Sequence, residues 1–216
     1  MAFEVLDEHE QGELVRKWLR ANATSIAVGI AIGLALIFGW QQWKARQTRT
    51  LGEAAMQYRA FADAAQAKRN DDAAKIAAAL REDHSGSAYA VFASLGEAGQ
   101  AVAGGDLVAA QAALTLAESN SKDATLKSLI ALRSARVLLA NGDAPGALAR
   151  LDGVPKGDFA AIASELRGDV LVKLGRAADA RSAYEEALKA LEPQSPGRDL
   201  VEMKLADLPA AEKQSS

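Results

Sequence analysis

Residues 161–194 read AIASELRGDVLVKLGRAADARSAYEEALKALEPQ, and this stretch decides the fold of most of the chain. Its apolar positions recur at three and four with no sustained alternation, which is the period of a helix. Ala, Leu, Glu, Lys and Arg dominate it, and all are strong helix formers. Gly175-Arg176 breaks the pattern with turn chemistry, so two helices joined by a short turn are expected. Gly168 and Ala180 are small enough to let those helices touch. Tyr184 is expected to fill the groove toward a neighbouring hairpin.

The same grammar runs upstream. Arg69-Asn70-Asp71-Asp72, Gly104-Gly105-Asp106 and Asn141-Gly142-Asp143 are further breaks. Each offers a residue tolerant of left-handed backbone, and Asp72, Asp106 and Asp143 are each placed to cap the following helix. Pro145 falls in a first turn, where a missing N–H costs little. From Asn70 to Gly105, Gly142 and Gly175 the steps are 35, 37 and 33 residues. A period of about 34 in an all-helical sequence is the mark of tetratricopeptide-type repeats. Residues 161–194 resemble that consensus at Gly168, Leu171, Gly175, Ala180, Tyr184 and Ala187, with Pro193 one residue past the expected proline. The unit before keeps Ala135, Leu138, Gly142, Ala147 and Leu151; an earlier one keeps Ala98, Gly105, Ala110, Leu114 and Ala117. The consensus tryptophan and the leucine beside its glycine are missing, so the repeats are divergent, and the Asn70 unit is a degenerate cap. No hairpin buries its apolar side alone, so the units must stack. The expected fold is all-α: a solenoid of about four helix pairs over residues 44–208, followed by a flexible tail, 209–216.

Ahead of the repeats lies a different kind of sequence. Residues 21–43 carry no charge, and Ile26 to Trp40 (IAVGIAIGLALIFGW) are apolar throughout. At about 1.5 Å per residue the uncharged stretch crosses a hydrocarbon core of about 30 Å as one helix. Trp18 precedes it and Trp40 and Trp43 close it, as an aromatic belt would. Arg16, Lys17 and Arg20 before the span balance Lys44, Arg46 and Arg49 after it, so the positive-inside rule does not settle orientation. A cleaved signal peptide fits poorly: the first thirteen residues hold five acidic groups and no base, and Gln41-Gln42-Trp43-Lys44 is poor cleavage chemistry. Ser25, Gly29 and Gly33 form a small-residue stripe suited to helix packing in lipid. Leu14, Val15, Trp18 and Leu19 make the residues before the span an amphipathic lead-in.

Composition excludes several functions. The chain carries a net charge of −3, of which residues 51–216 hold −4 and residues 21–50 hold +3. A mildly acidic soluble part has no electrostatic footprint for nucleic acid, whereas the basic band can meet anionic headgroups. With no cysteine there are no disulfides or thiolate metal sites. The two histidines are His9, near the start, and His84, in a turn where it is expected to be solvated. Glu185 and Glu186 are helix neighbours about 100° apart and do not converge on a substrate. No metalloprotease, phosphate-loop or nucleophile-elbow motif occurs, so neither enzyme nor cofactor is expected.

Taken together, span and repeats resemble the YfgM-like family. The likeness rests on Ala27-Val28-Gly29, Gly33, Gly39-Trp40 and Trp43 in the anchor. In the soluble part it rests on residues 132–137, Leu166-Arg167-Gly168, and Gly175 followed by residues 180–184. It implies a single-pass bacterial inner-membrane protein with a cytoplasmic tail (1–20), a transmembrane helix (21–43) and a periplasmic domain (44–208). It further implies an ancillary subunit of the SecYEG translocon that meets translocating polypeptides and the periplasmic chaperone PpiD. A membrane-tethered scaffold for another complex, in cytochrome maturation or signalling, is the alternative. In tetratricopeptide folds the first helix of each pair lines the binding groove. Carried onto this chain, that gives Phe92, Leu95 and Val102; Leu129, Leu132, Arg136 and Leu139; and Glu165, Asp169, Val172 and Lys173 as partner-binding candidates. Apolar walls with a few charges suit extended polypeptide.

Overall fold

The computed structural model describes residues 8–155 and 157–209, with side chains from residue 12 onward. These residues form nine α-helices and no strand. They are α1 (Glu8–Gln66), α2 (Asn70–Asp83), α3 (Ala88–Ala103), α4 (Leu107–Asn120), α5 (Ala124–Ala140), α6 (Ala144–Asp152), α7 (Ala160–Lys173), α8 (Ala177–Ala190) and α9 (Arg198–Ala206). The chain divides into two compact units between Gly52 and Glu53.

In the first unit, α1 is continuous from the lead-in through the apolar stretch, and is long and apolar enough to cross a membrane. Its most apolar 18-residue window is wholly unburied. Ile30, Ile32, Leu34, Leu36, Ile37 and Phe38 all stand exposed. Leaving one such side chain in water forgoes about 1.5–3 kcal/mol, so lipid is the environment that suits this surface. Asn22 donates its side-chain amide to the Trp18 carbonyl at 2.9 Å, a partner it keeps in any solvent. Trp40 and Trp43 sit one turn apart with ring centroids 5.5 Å from each other.

The second unit opens with the last turns of α1 and runs to α9. The pairs α1/α2, α3/α4, α5/α6 and α7/α8 are antiparallel hairpins, which meets the expected four. Each closes through the same turn. A residue with positive φ (Lys68 at 56°, Gly105 at 78°, Gly142 at 85°, Gly175 at 73°) lets the next N–H reach back to a carbonyl five residues earlier. Those bonds, Arg69 to Ala64, Asp106 to Ala101, Asp143 to Leu138 and Arg176 to Leu171, are all 2.9 Å. This is the helix-ending motif that glycine serves best. Asp106 and Asp143 then cap α4 and α6 as expected, accepting from Ala109 and Gly146. Asp72 does not: α2 begins without a side-chain cap, and Asp72 pairs on the surface with Arg69 instead. Two further caps lie between hairpins, Ser87 for α3 and Asp123 for α5.

The core is a chain of clusters rather than one ball. Phe61, Ala64, Ala77 and Leu80 fill the first hairpin against Ala93. Val91, Leu95, Leu114, Ile130 and Val137 join the second to the third. Leu132, Ala147, Leu151, Leu166 and Val170 continue the stack, and Leu171, Ala183, Tyr184 and Val201 close it under α9. Ion pairs fix the register between hairpins: Arg81 with Glu97, Arg150 with Glu118, and Arg167 with Asp152. Ser134, fully buried, is shared by Gln111 and Arg150.

Candidate functional site

An open groove of about 560 Å³ lies between α3, α4 and α5. It is within the size of ordinary ligand clefts, roughly 300–1,000 Å³. α3 contributes Leu95, Ala98, Gly99 and Val102, one stripe at helical spacing. α4 contributes Leu107 and Leu114, and α5 contributes Arg133, Arg136, Val137 and Ala140. The floor is apolar, and the two arginines are exposed at its edge. No group of histidines and carboxylates able to hold a metal occurs among the described residues.

Three of the candidates read from the sequence meet here: Leu95, Val102 and Arg136. Phe92 is half-buried and instead joins Tyr58, Phe61 and Tyr89 in an aromatic cluster, its ring 6.1 Å from Tyr58 and 6.4 Å from Tyr89. Leu129 and Leu139 are half-buried outside the groove lining. Leu132 requires a correction: at 2% exposure it belongs to the core of the next cluster. On α5 the groove stripe is 133, 136, 137 and 140, one position round the helix from the expected 129, 132, 136 and 139. That offset is why Arg133 was outside the expected set, and Leu107 and Leu114 were outside it because the groove also draws on α4, the second helix of a pair.

The candidates on α7 part company. Val172 and Lys173 are exposed. Glu165 and Asp169 are not free: both accept from the Lys204 ammonium of α9, at 2.7 and 2.8 Å, and Asp169 also accepts from the Tyr184 hydroxyl at 2.8 Å. Burial alone would lower the Lys204 pKa, but its bonds to Asp169 and Glu165 outweigh that and hold it above its ordinary value. Burial, together with the hydrogen bond to Asp169 and the neighbouring carboxylates, pushes the Tyr184 phenol up. This end of the stack is therefore a locked seam of α7, α8 and α9.

One other expectation needs correcting. His84 is buried, 9% exposed, with its Nδ1 enclosed and without a hydrogen-bond partner, rather than solvated. The Tyr184 ring packs over Gly168 within its own hairpin, in a cluster that also takes in Val201 of α9, with Leu148 of α6 against it. In the apolar part of α1, a Cβ added to Gly29 or Gly33 would meet nothing. His9 lies in α1 with its side chain outside the described residues, as do residues 1–7 of the expected tail and 210–216 of the expected C-terminal tail.

Paired helices, glycine-closed turns and a groove between successive hairpins define a helical-repeat protein of the tetratricopeptide type. Residues 16–210 match the family model described as "Tetratricopeptide repeat-like domain". Two relatives, each called an ancillary SecYEG translocon subunit, are close over nearly the whole chain. That of Haemophilus influenzae is 33% identical across 87% of this chain and 91% of its own length, and that of Escherichia coli 32% identical across 85% and 88%. A third, from Aggregatibacter actinomycetemcomitans, is 28% identical across 94% and 98%. No solved structure matches. The chain belongs to the family of ancillary SecYEG translocon subunits.

Proposed function

We propose that this protein is a membrane-anchored interaction subunit of the SecYEG translocon, and that its repeat unit binds polypeptide through the groove between α3, α4 and α5. The observation that carries the reading is the union, in one chain, of a helix fit for the membrane and a repeat stack with an open apolar groove. The names of its relatives support the translocon as its setting. Residues 21–43 would form the span, with residues 1–20 in the cytoplasm and the repeat unit, within 44–208, in the periplasm. There it would meet emerging chains and hand them to periplasmic chaperones, PpiD among them. Tethering raises local concentration, so weak groove contacts would suffice. The remaining candidates, Val172 and Lys173 on α7, would offer a second, shallower contact. Ser25, Gly29 and Gly33 would pack α1 against another membrane helix.

Affinity purification of the full chain in mild detergent tests this. Translocon subunits are expected to co-purify, and a reporter fused to the C-terminus is expected to work only outside the cytoplasm. Purification with a haem-maturation or signalling complex instead would favour the other scaffold role.

A further inference from the structure

Resting on the reading of the groove as a polypeptide site, we propose that it selects acidic segments: an apolar stretch whose carboxylates are gripped by Arg133 and Arg136. Seven of the ten arginines of residues 53–216 are spoken for. Arg69, Arg81, Arg150, Arg167, Arg176 and Arg198 each lie in an ion pair, and Arg181 donates to the Pro209 carbonyl. Arg133 and Arg136 have no such partner among the described residues; Arg59, which does not line the groove, is the other. No Asp or Glu lines the groove. A unit that is acidic overall thus concentrates two free guanidinium groups at the edge of its apolar groove.

Spacing makes the pair usable. Residues three apart lie on one face of a helix, so both forks reach the same side of the groove. Each fork matches a carboxylate with two parallel hydrogen bonds, which gives direction as well as attraction. Leu95, Val102 and Leu107 supply the apolar contact between them. Of the anionic amphiphiles, a peptide fits better than a lipid. The groove is open to solvent, so an acyl chain laid in it would keep much of its surface in water. A peptide backbone meets that water with its own hydrogen bonds.

The test uses the full chain in neutral-lipid nanodiscs and three labelled peptides that share one apolar core, flanked by two Glu, two Gln or two Lys. The Glu peptide is expected to bind tightest, on the order of tenfold over the Gln peptide, with the preference shrinking as salt is raised. The double variant R133E/R136E should invert the order and favour the Lys peptide, a gain that an unfolded protein cannot give. Val102→Ser, which removes apolar contact without changing the charge, should weaken all three. Equal binding of the three peptides, or an order unchanged by charge reversal, overturns the selectivity while leaving a peptide groove in place. If no peptide of any charge binds, the groove reading fails too. If anionic vesicles erase the Glu preference, the arginines serve lipid headgroups and the proposal is overturned.

Discussion

A methyl group added to Gly168 would overlap the Tyr184 ring, because that ring, carried by α8, lies directly against the α7 backbone there. Gly168→Ala must therefore push the ring off its Asp169 hydrogen bond or part the helices. It should destabilise the domain by about 1–3 kcal/mol in urea unfolding. Gly99 is the contrast: nothing lies within 4 Å of an added Cβ, so Gly99→Ala in mid-helix should stabilise by about 0.5–1 kcal/mol. The seam beside Gly168 also sets a pH dependence. Lys204 and Tyr184 both hold their protons more tightly when folded than when unfolded. The native state then binds more protons above about pH 10, so stability is full below that and falls as pH rises. Lys204→Met with Tyr184→Phe should flatten that alkaline loss in urea melts taken between about pH 9 and 11. The sequence made the small residue and the tyrosine readable. It could not reveal that Glu165 and Asp169 are tied down, because Lys204 is 39 and 35 residues away. His84 is buried although its sequence neighbours read as an exposed turn.

Among the elements, the turns were the most legible. Three of the four hairpin turns carry glycine at the left-handed position, and the Asp that follows Gly105 and Gly142 caps the next helix. The first turn puts Lys68 there, at a φ of 56°, so the sequence marked the break through Asn70 and missed the residue that makes it. A non-glycine residue pays about 1–2 kcal/mol for this conformation. Lys68→Gly should therefore raise stability by about 0.5–1 kcal/mol after the added flexibility of the unfolded chain is subtracted, a gain thermal melting would detect. Helix faces were read less sharply. A one-residue offset turns a helical stripe by about 100°, which is why Leu132 is core while Arg133 lines the groove. Repeat consensus fixes which residues touch inside a hairpin. It says less about which face a neighbouring hairpin leaves open.

Across the whole molecule, the chain combines two solvents' worth of surface. The exposed apolar side chains of α1 suit lipid, while the described residues of the second unit bury most of theirs in a series of clusters. Both halves were legible because their patterns are long: an unbroken apolar run, and a recurrence over more than a hundred residues. The groove was only partly legible, since three helices from two hairpins build it. The central claim is that this groove meets polypeptide at the translocon. A photo-reactive residue at Val102, in the groove, can be compared in intact membranes with one at Val108, which is 72% exposed and outside it. With an arrested translocating chain present, adducts to that chain or to translocon subunits are predicted from position 102 and not from 108. Equal labelling from both, or none from 102, would contradict the account.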